Sequence, residues 1–179
     1  YTHFTLEQGD EAAAALTSRF AELARSAAEQ WEGHVLEVRG DEVLSVFASA
    51  RAAVRAAHDL QARSEGEAGR HPEWPEGIGI GLDVGEAVVV DEGYRGSALN
   101  RAARLCSLAA AGEVLVSTGI VYLAPQVEGV TFEARGQVQL KGIEGPTLIL
   151  LAAPRAAVVE ATAEETAEES GAGEEPTGE

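Results

Sequence analysis

Gly96-Ser97-Ala98-Leu99-Asn100-Arg101-Ala102-Ala103-Arg104-Leu105 is the stretch on which the reading of this chain turns. It follows a glycine-containing turn and places an amide and a guanidinium one helical turn apart. On an ideal helix Leu99, Ala102, Ala103 and Cys106 form an apolar stripe at i, i+3, i+4 and i+7. Asn100 and Arg104 then share the flank of that stripe, and Arg101 points outward. Arg offers a fixed fork of donors to phosphate oxygens, and Asn supplies both a donor and an acceptor. The pair can therefore address a phosphorylated ligand. Taken alone, an ordinary amphipathic helix with a solvated Arg is the commoner case.

Working outward, Ile78 to Leu82 and Ala87 to Val90 read as a strand pair about Gly85, and the loop Asp91 to Gly96 leads into the Asn/Arg helix. Upstream, Asp10 is a candidate cap for a helix to about Trp31, with Leu16, Phe20, Leu23, Ala27 and Trp31 on one face and Gly33 at its end. Val35 to Arg39 and Val43 to Phe47 form a hairpin through Gly40-Asp41, and Ser49 caps a second helix with Ala50, Ala53, Val54, Ala57 and Leu60 inward. Downstream, Gly112 stops the Asn/Arg helix and Glu113 to Ser117 is a buried strand. A short helix near Gly119 to Leu123 follows, then strands at Val130 to Ala134, Gln137 to Leu140 and Thr147 to Leu151. The expected fold class is α+β, with one sheet covered by helices.

The 179 residues leave room for one domain, residues 1–153, and a tail, residues 154–179. From Arg155 onward there are eight Glu against one Arg, so about -7 of the formal charge of -17 lies in the tail. The tail lacks large apolar residues after Val159 and is expected to be a disordered acidic segment or linker. The acidic balance argues against a nucleic-acid partner, which needs basic patches. No apolar run approaches the roughly 20 residues that span a bilayer, so no membrane segment is expected and a cytoplasmic location is the default. The single Cys106 excludes an internal disulfide and reads as a packing residue. A start at Tyr1 with no Met in the chain suggests a fragment.

Two further residues could carry chemistry. Asp41 stands at a hairpin tip, where a carboxylate can reach a divalent cation or simply favour the turn. Lys141, before Gly142 near a strand end, can hold a phosphate as a point charge or be a solvated lysine. The Gly77-Ile78-Gly79-Ile80-Gly81 run is not a dinucleotide fingerprint, because strands rather than a helix N-terminus follow it. His3, His34, His58 and His71 show no metal-ligand spacing.

Together these pieces resemble the class III adenylate/guanylate cyclase catalytic domain. The matching segments, in the family's order, are Gly40 to Phe47, Ile78 to Ala87, the Asn100/Arg104 helix, Glu113 to Ser117, and Leu140 to Ile143. The resemblance implies a ferredoxin-like α+β core with a mostly antiparallel sheet. It implies a head-to-tail homodimer with active sites at the interface, and an ATP or GTP substrate cyclised with loss of pyrophosphate. It also implies two Mg²⁺ or Mn²⁺ ions. By position Asp41 is similar to one metal-binding aspartate, Asn100 to the ribose-orienting Asn, Arg104 to the Arg that stabilises α-phosphate charge, and Lys141 to the triphosphate-binding Lys.

Three departures from the family pattern shape the expectations. The first metal motif, Asp-Ile-x-Gly-x-Ser/Thr, is absent; Thr2 fits its last position, which places the missing Asp and the first strand of the sheet before Tyr1. The chain as written is therefore expected to be inactive. Glu37 stands where adenylate cyclases often carry Lys, and a carboxylate suits the donor edge of guanine. Gly93 takes the place of the adenine-reading Asp, with Asp91 and Glu92 close by. ATP keeps a lead as the commoner bacterial substrate. The alternative is a catalytically inactive cyclase-homology domain that binds nucleotide or dimerises to regulate attached domains.

Overall fold

Alanine dictates how this fold begins. In the computed structural model, which describes residues 9–75, 77–90 and 93–155, helix α1 (Asp10–Gln30) and helix α2 (Ala50–Ala68) pack on one another. The buried positions of α1 are Ala13, Ala21, Ala24, Ala27 and Ala28, and α2 likewise buries Ala53, Ala56 and Ala57. Small side chains let the two backbones approach closely at little rotamer cost. Helix α1 starts after Gly9, not on a capping Asp10. It ends at Trp31, with Glu32 in the left-handed region at φ 57°. Gly33 is therefore no cap; it opens the next strand, where a Cβ would collide with the ring of Phe47.

Strands β1 (Gly33–Arg39) and β2 (Glu42–Phe47) form the expected hairpin, with a register shift between Val35 and Glu37. Ser49 caps α2 as anticipated, its Oγ accepting from the Ala52 amide. The loop after α2 is nailed down by two buried contacts. Trp74, 4% exposed, donates its indole N–H to Ser64 Oγ at 2.8 Å, and Gln61 Nε2 donates to the Ile78 carbonyl at 2.6 Å.

The remaining chain supplies β3 (Ile80–Leu82), β4 (Val88–Val90), β5 (Gly93–Arg95), helix α3 (Ser97–Leu108), β6 (Val114–Ser117), helix α4 (Thr118–Leu123), β7 (Val130–Gln139) and β8 (Pro146–Pro154). The α+β class holds, and four of the five strand pairings are antiparallel. The single sheet does not. The described strands form three sheets: β1-β2, β4-β5 and β3-β6-β8-β7. Strand β3 does not fold back on β4; it runs parallel to β6, and β4 pairs with β5 instead. The two segments read as separate strands at 130–134 and 137–140 are one long β7 with a register shift at Ala134/Gly136.

The fully buried strand β6 separates two apolar clusters by its two-residue alternation. Val114 and Val116 join Val54, Ala57, Ile120, Val127 and Ala152, while Leu115 meets Leu105 of α3 and Ile149. Helix α3 is thus fixed on one face of the four-stranded sheet and α2 on the other. No helix among the described residues is long and apolar enough to cross a membrane. The expectations for Thr2, Asp91, Glu92 and nearly all of the acidic tail fall on residues outside those described.

Candidate active site

Helix α3 reaches its place because β3 offers it glycine. A Cβ on Gly81 would stand 2.8 Å from the Leu105 carbonyl carbon, and closer still to the Ala102 oxygen and the Cys106 nitrogen. Gly79 likewise lies against Ala109. The helix therefore rests backbone to backbone on the strand. Ala98 and Leu105 are its buried residues.

This seating corrects the expected face. The predicted stripe of Leu99, Ala102, Ala103 and Cys106 is rotated by roughly a quarter turn from the observed one, judged at about 100° per residue. Ala103 and Cys106 are exposed, and Arg101, expected to point outward, turns toward β3. The physical reason is Gly81: close backbone approach selects the face with the least side chain between Ala98, Ala102 and Leu105. Asn100 and Arg104 consequently lie on the open face of the helix, both exposed. Neither makes a hydrogen bond or ion pair among the described residues.

Arg101 donates from Nε to Asp83 Oδ2 at 2.6 Å, with the Asp83 side chain 3% exposed and Arg101 31%. Sequence reasoning assigned neither residue a role. An acid within the apolar run Ile78 to Val84 was the available signal, since a buried carboxylate demands a partner.

Cys106 is exposed rather than a packing residue, and its Sγ donates to the Gly79 carbonyl at 3.4 Å. Partial burial pushes its thiol above the ordinary range, and the carboxylates of Glu42 and Asp41 add to the rise against a backbone hydrogen bond at Gly81. Asp41 also lines a cavity of about 310 Å³ with Leu16, Phe20, Trp74 and Ile78.

Among the described residues no group of three or more His, Cys, Asp or Glu side chains is arranged to hold a metal ion. Asp41 and its neighbour Glu42 therefore belong to no such group among the described residues. Lys141 stands exposed in the β7–β8 turn. That turn is held by the Ile143 amide on the Leu140 carbonyl and by Gln139 Nε2 on the Ile143 carbonyl. Glu37 is ion-paired on the surface with Arg39 at 2.6 Å. Gly93 starts β5 at φ 123°, a conformation that favours glycine, with open space where a side chain would be.

No family model matches the chain. It is 31% identical over 144 residues to "Putative adenylate cyclase 3" of Rhizobium meliloti (strain 1021), an alignment covering 78% of this chain. The chain spans about a quarter (24%) of that relative's length. Among solved structures it is similar to the adenylate/guanylate cyclase/hydrolase from Silicibacter pomeroyi. The match has 27% identity and a TM-score of 0.66, and covers 76% of this chain and 81% of that one. The adenylyl cyclase CyaB from P. aeruginosa shares the fold at 21% identity and a TM-score of 0.73, over 87% and 89% of the two chains.

Proposed function

The chain belongs with the class III adenylate/guanylate cyclase catalytic domains, and from that premise we propose that it acts as a nucleotidyl cyclase domain. It would convert ATP or GTP to a 3′,5′-cyclic nucleotide and pyrophosphate. The observation that carries this reading is the open face of α3. An amide and a guanidinium one turn apart are left exposed, with no partner among the described residues, on a helix whose opposite face is pinned to the sheet.

The reaction forms a bond from the ribose 3′-oxygen to the α-phosphorus and breaks the bond to the β-phosphate, releasing pyrophosphate; the 3′-hydroxyl loses its proton. In this reading the Asn100 amide orients the ribose. Arg104 meets the charge that builds on the α-phosphate oxygens, and Lys141 acts as a point charge for the remaining phosphates. Glu37 accepts hydrogen bonds from the base, and Gly93 leaves space beside it.

Asn100, Arg104 and Lys141 are all open to solvent, which suits a site completed by a second copy. The exposed Val88, Val89 and Tyr94 of the β4–β5 hairpin offer that copy an apolar arm. Mg²⁺ or Mn²⁺ accompanies the nucleotide in this reading, with Asp41 as a described carboxylate at hand. We place the domain in the cytoplasm, with the acidic segment 154–179 linking it to attached domains. Glu37 and Gly93, which match neither standard base-reading pattern, favour a second reading, a nucleotide-binding or dimerising module that regulates attached domains without turnover.

The test is the full-length protein with Mn²⁺ and ATP or GTP, beside Arg104→Ala. Catalysis predicts a product that the variant lowers by about 100- to 1,000-fold. No product, or equal product from both, refutes catalysis and leaves the regulatory reading.

A further inference from the structure

Helix α3 is seated by backbone approach at Gly81 and by Leu105 packed against Leu115 and Ile149, contacts that are apolar and carry little directionality. Its N-cap, Gly96, supplies no side-chain hydrogen bond. Its buried residues are Ala98 and Leu105, and its closest approach to β3 is over the featureless Gly81. The backbone-to-glycine contact selects the face that α3 turns to β3, but it has no side-chain ridge to fix the last part of the roll. Besides the weak Cys106 Sγ–H on the Gly79 carbonyl at 3.4 Å, the directional contact among the described residues is the Arg101 Nε–H on Asp83 Oδ2 at 2.6 Å, made to a side chain that is 3% exposed. A charge so buried cannot exchange its partner for water without moving one of the elements that carry it.

We propose that the Asp83–Arg101 ion pair sets the roll of α3 and so aims Asn100 and Arg104, making Asp83 and Arg101 positioning residues of the site. Arg101 sits about 60° around the helix from Arg104 and about 100° from Asn100, so any roll moves the three together. The activity arm of this inference rests on the cyclase reading; its structural arm does not.

Cys106, the chain's one cysteine, supplies the structural arm, because its Sγ leans on the Gly79 carbonyl beside β3 and leaves it when α3 rolls. The full-length protein with other cysteines replaced, and the 179-residue chain, are labelled with a thiol reagent as Asp83→Asn, Arg101→Gln and the double variant. Each single substitution is expected to speed Cys106 labelling by about threefold or more, and the double variant, which also lacks the pair, to label as fast as the single variants rather than faster still. In the full-length enzyme each single variant is expected to lower kcat by roughly 10- to 100-fold with KM little changed, as misplacement of transition-state groups does. If Arg101→Gln does not fold, Asp83→Asn, which leaves a neutral side chain at the buried position, decides alone, and wild-type labelling in it overturns the proposal. Wild-type labelling rates in both single variants overturn the proposal. A wild type that makes no cyclic nucleotide refutes the cyclase reading, while the labelling rates still decide the role of the pair.

Discussion

Replacing Gly81 by alanine puts a methyl group against the backbone of α3. The added carbon would stand 2.8 Å from the Leu105 carbonyl carbon and nearer to two other backbone atoms, against the 3.4 Å at which ordinary contact begins. None of the three atoms belongs to a side chain that could swing away. The helix must retreat by roughly 1 Å, a gap that forfeits a quarter to a half of the dispersion at every contact it opens. Leu105, fully buried against Leu115 and Ile149, loses most. Overpacking of this kind costs about 1–3 kcal/mol, and part of the roughly 1.5–3 kcal/mol from burying Leu105 is lost with it. The expected destabilisation is therefore about 2–4 kcal/mol, a fall in Tm of roughly 5–15 °C for a chain of this size. Urea unfolding followed by tryptophan fluorescence measures it, with an unchanged m-value confirming that the folded state is what moved. A Gly81→Ala protein within about 0.5 kcal/mol of wild type, the range of an innocuous surface change, would refute the close backbone seating of α3.

Three further outcomes are expected. Ser64→Ala strands the buried indole N–H of Trp74 without its acceptor and should cost about 1–3 kcal/mol in urea titrations; an unchanged midpoint would show that the bond is dispensable. Burial holds His58 below the ordinary imidazole value of 6.5, so the folded state binds its proton less readily than the unfolded chain does. Stability should thus be full above that value and fall as pH drops through it toward the folded value; His58→Phe should flatten that part of the profile between pH 5 and 7, and an identical profile refutes the assignment. Val88→Asp with Val89→Asp should weaken self-association in sedimentation while leaving monomer Tm unchanged, and a wild type that stays monomeric at every concentration refutes the hairpin as a dimer arm.

Local signals were legible where one residue decides one feature. Gly40-Asp41 marked the hairpin, Ser49 marked the start of α2, and the unbroken apolar run at 113–117 marked the buried β6. Pairing was not legible in the same way. Ile80–Leu82 and Val88–Val90 are consecutive strands around a glycine and look like a hairpin, yet each finds a different partner. A parallel partner more than 30 residues away leaves no local trace. For the site, residue types and order identified Asn100, Arg104, Asp41 and Lys141 as candidates, but not Asp83 or Arg101, because an ion pair 18 residues apart has no spacing rule.

The amino-acid sequence by itself determined that α3 exists, that it carries Asn100 and Arg104 one turn apart, and which family it resembles, since these depend on residue order along one chain. Only the tertiary structure decided which way that helix faces. Its alanine-rich surface offers nearly equivalent apolar stripes a quarter turn apart, so hydrophobic periodicity leaves the roll undetermined. The backbone of β3 at Gly81 and the buried carboxylate of Asp83 choose among them, and both act from outside the helix.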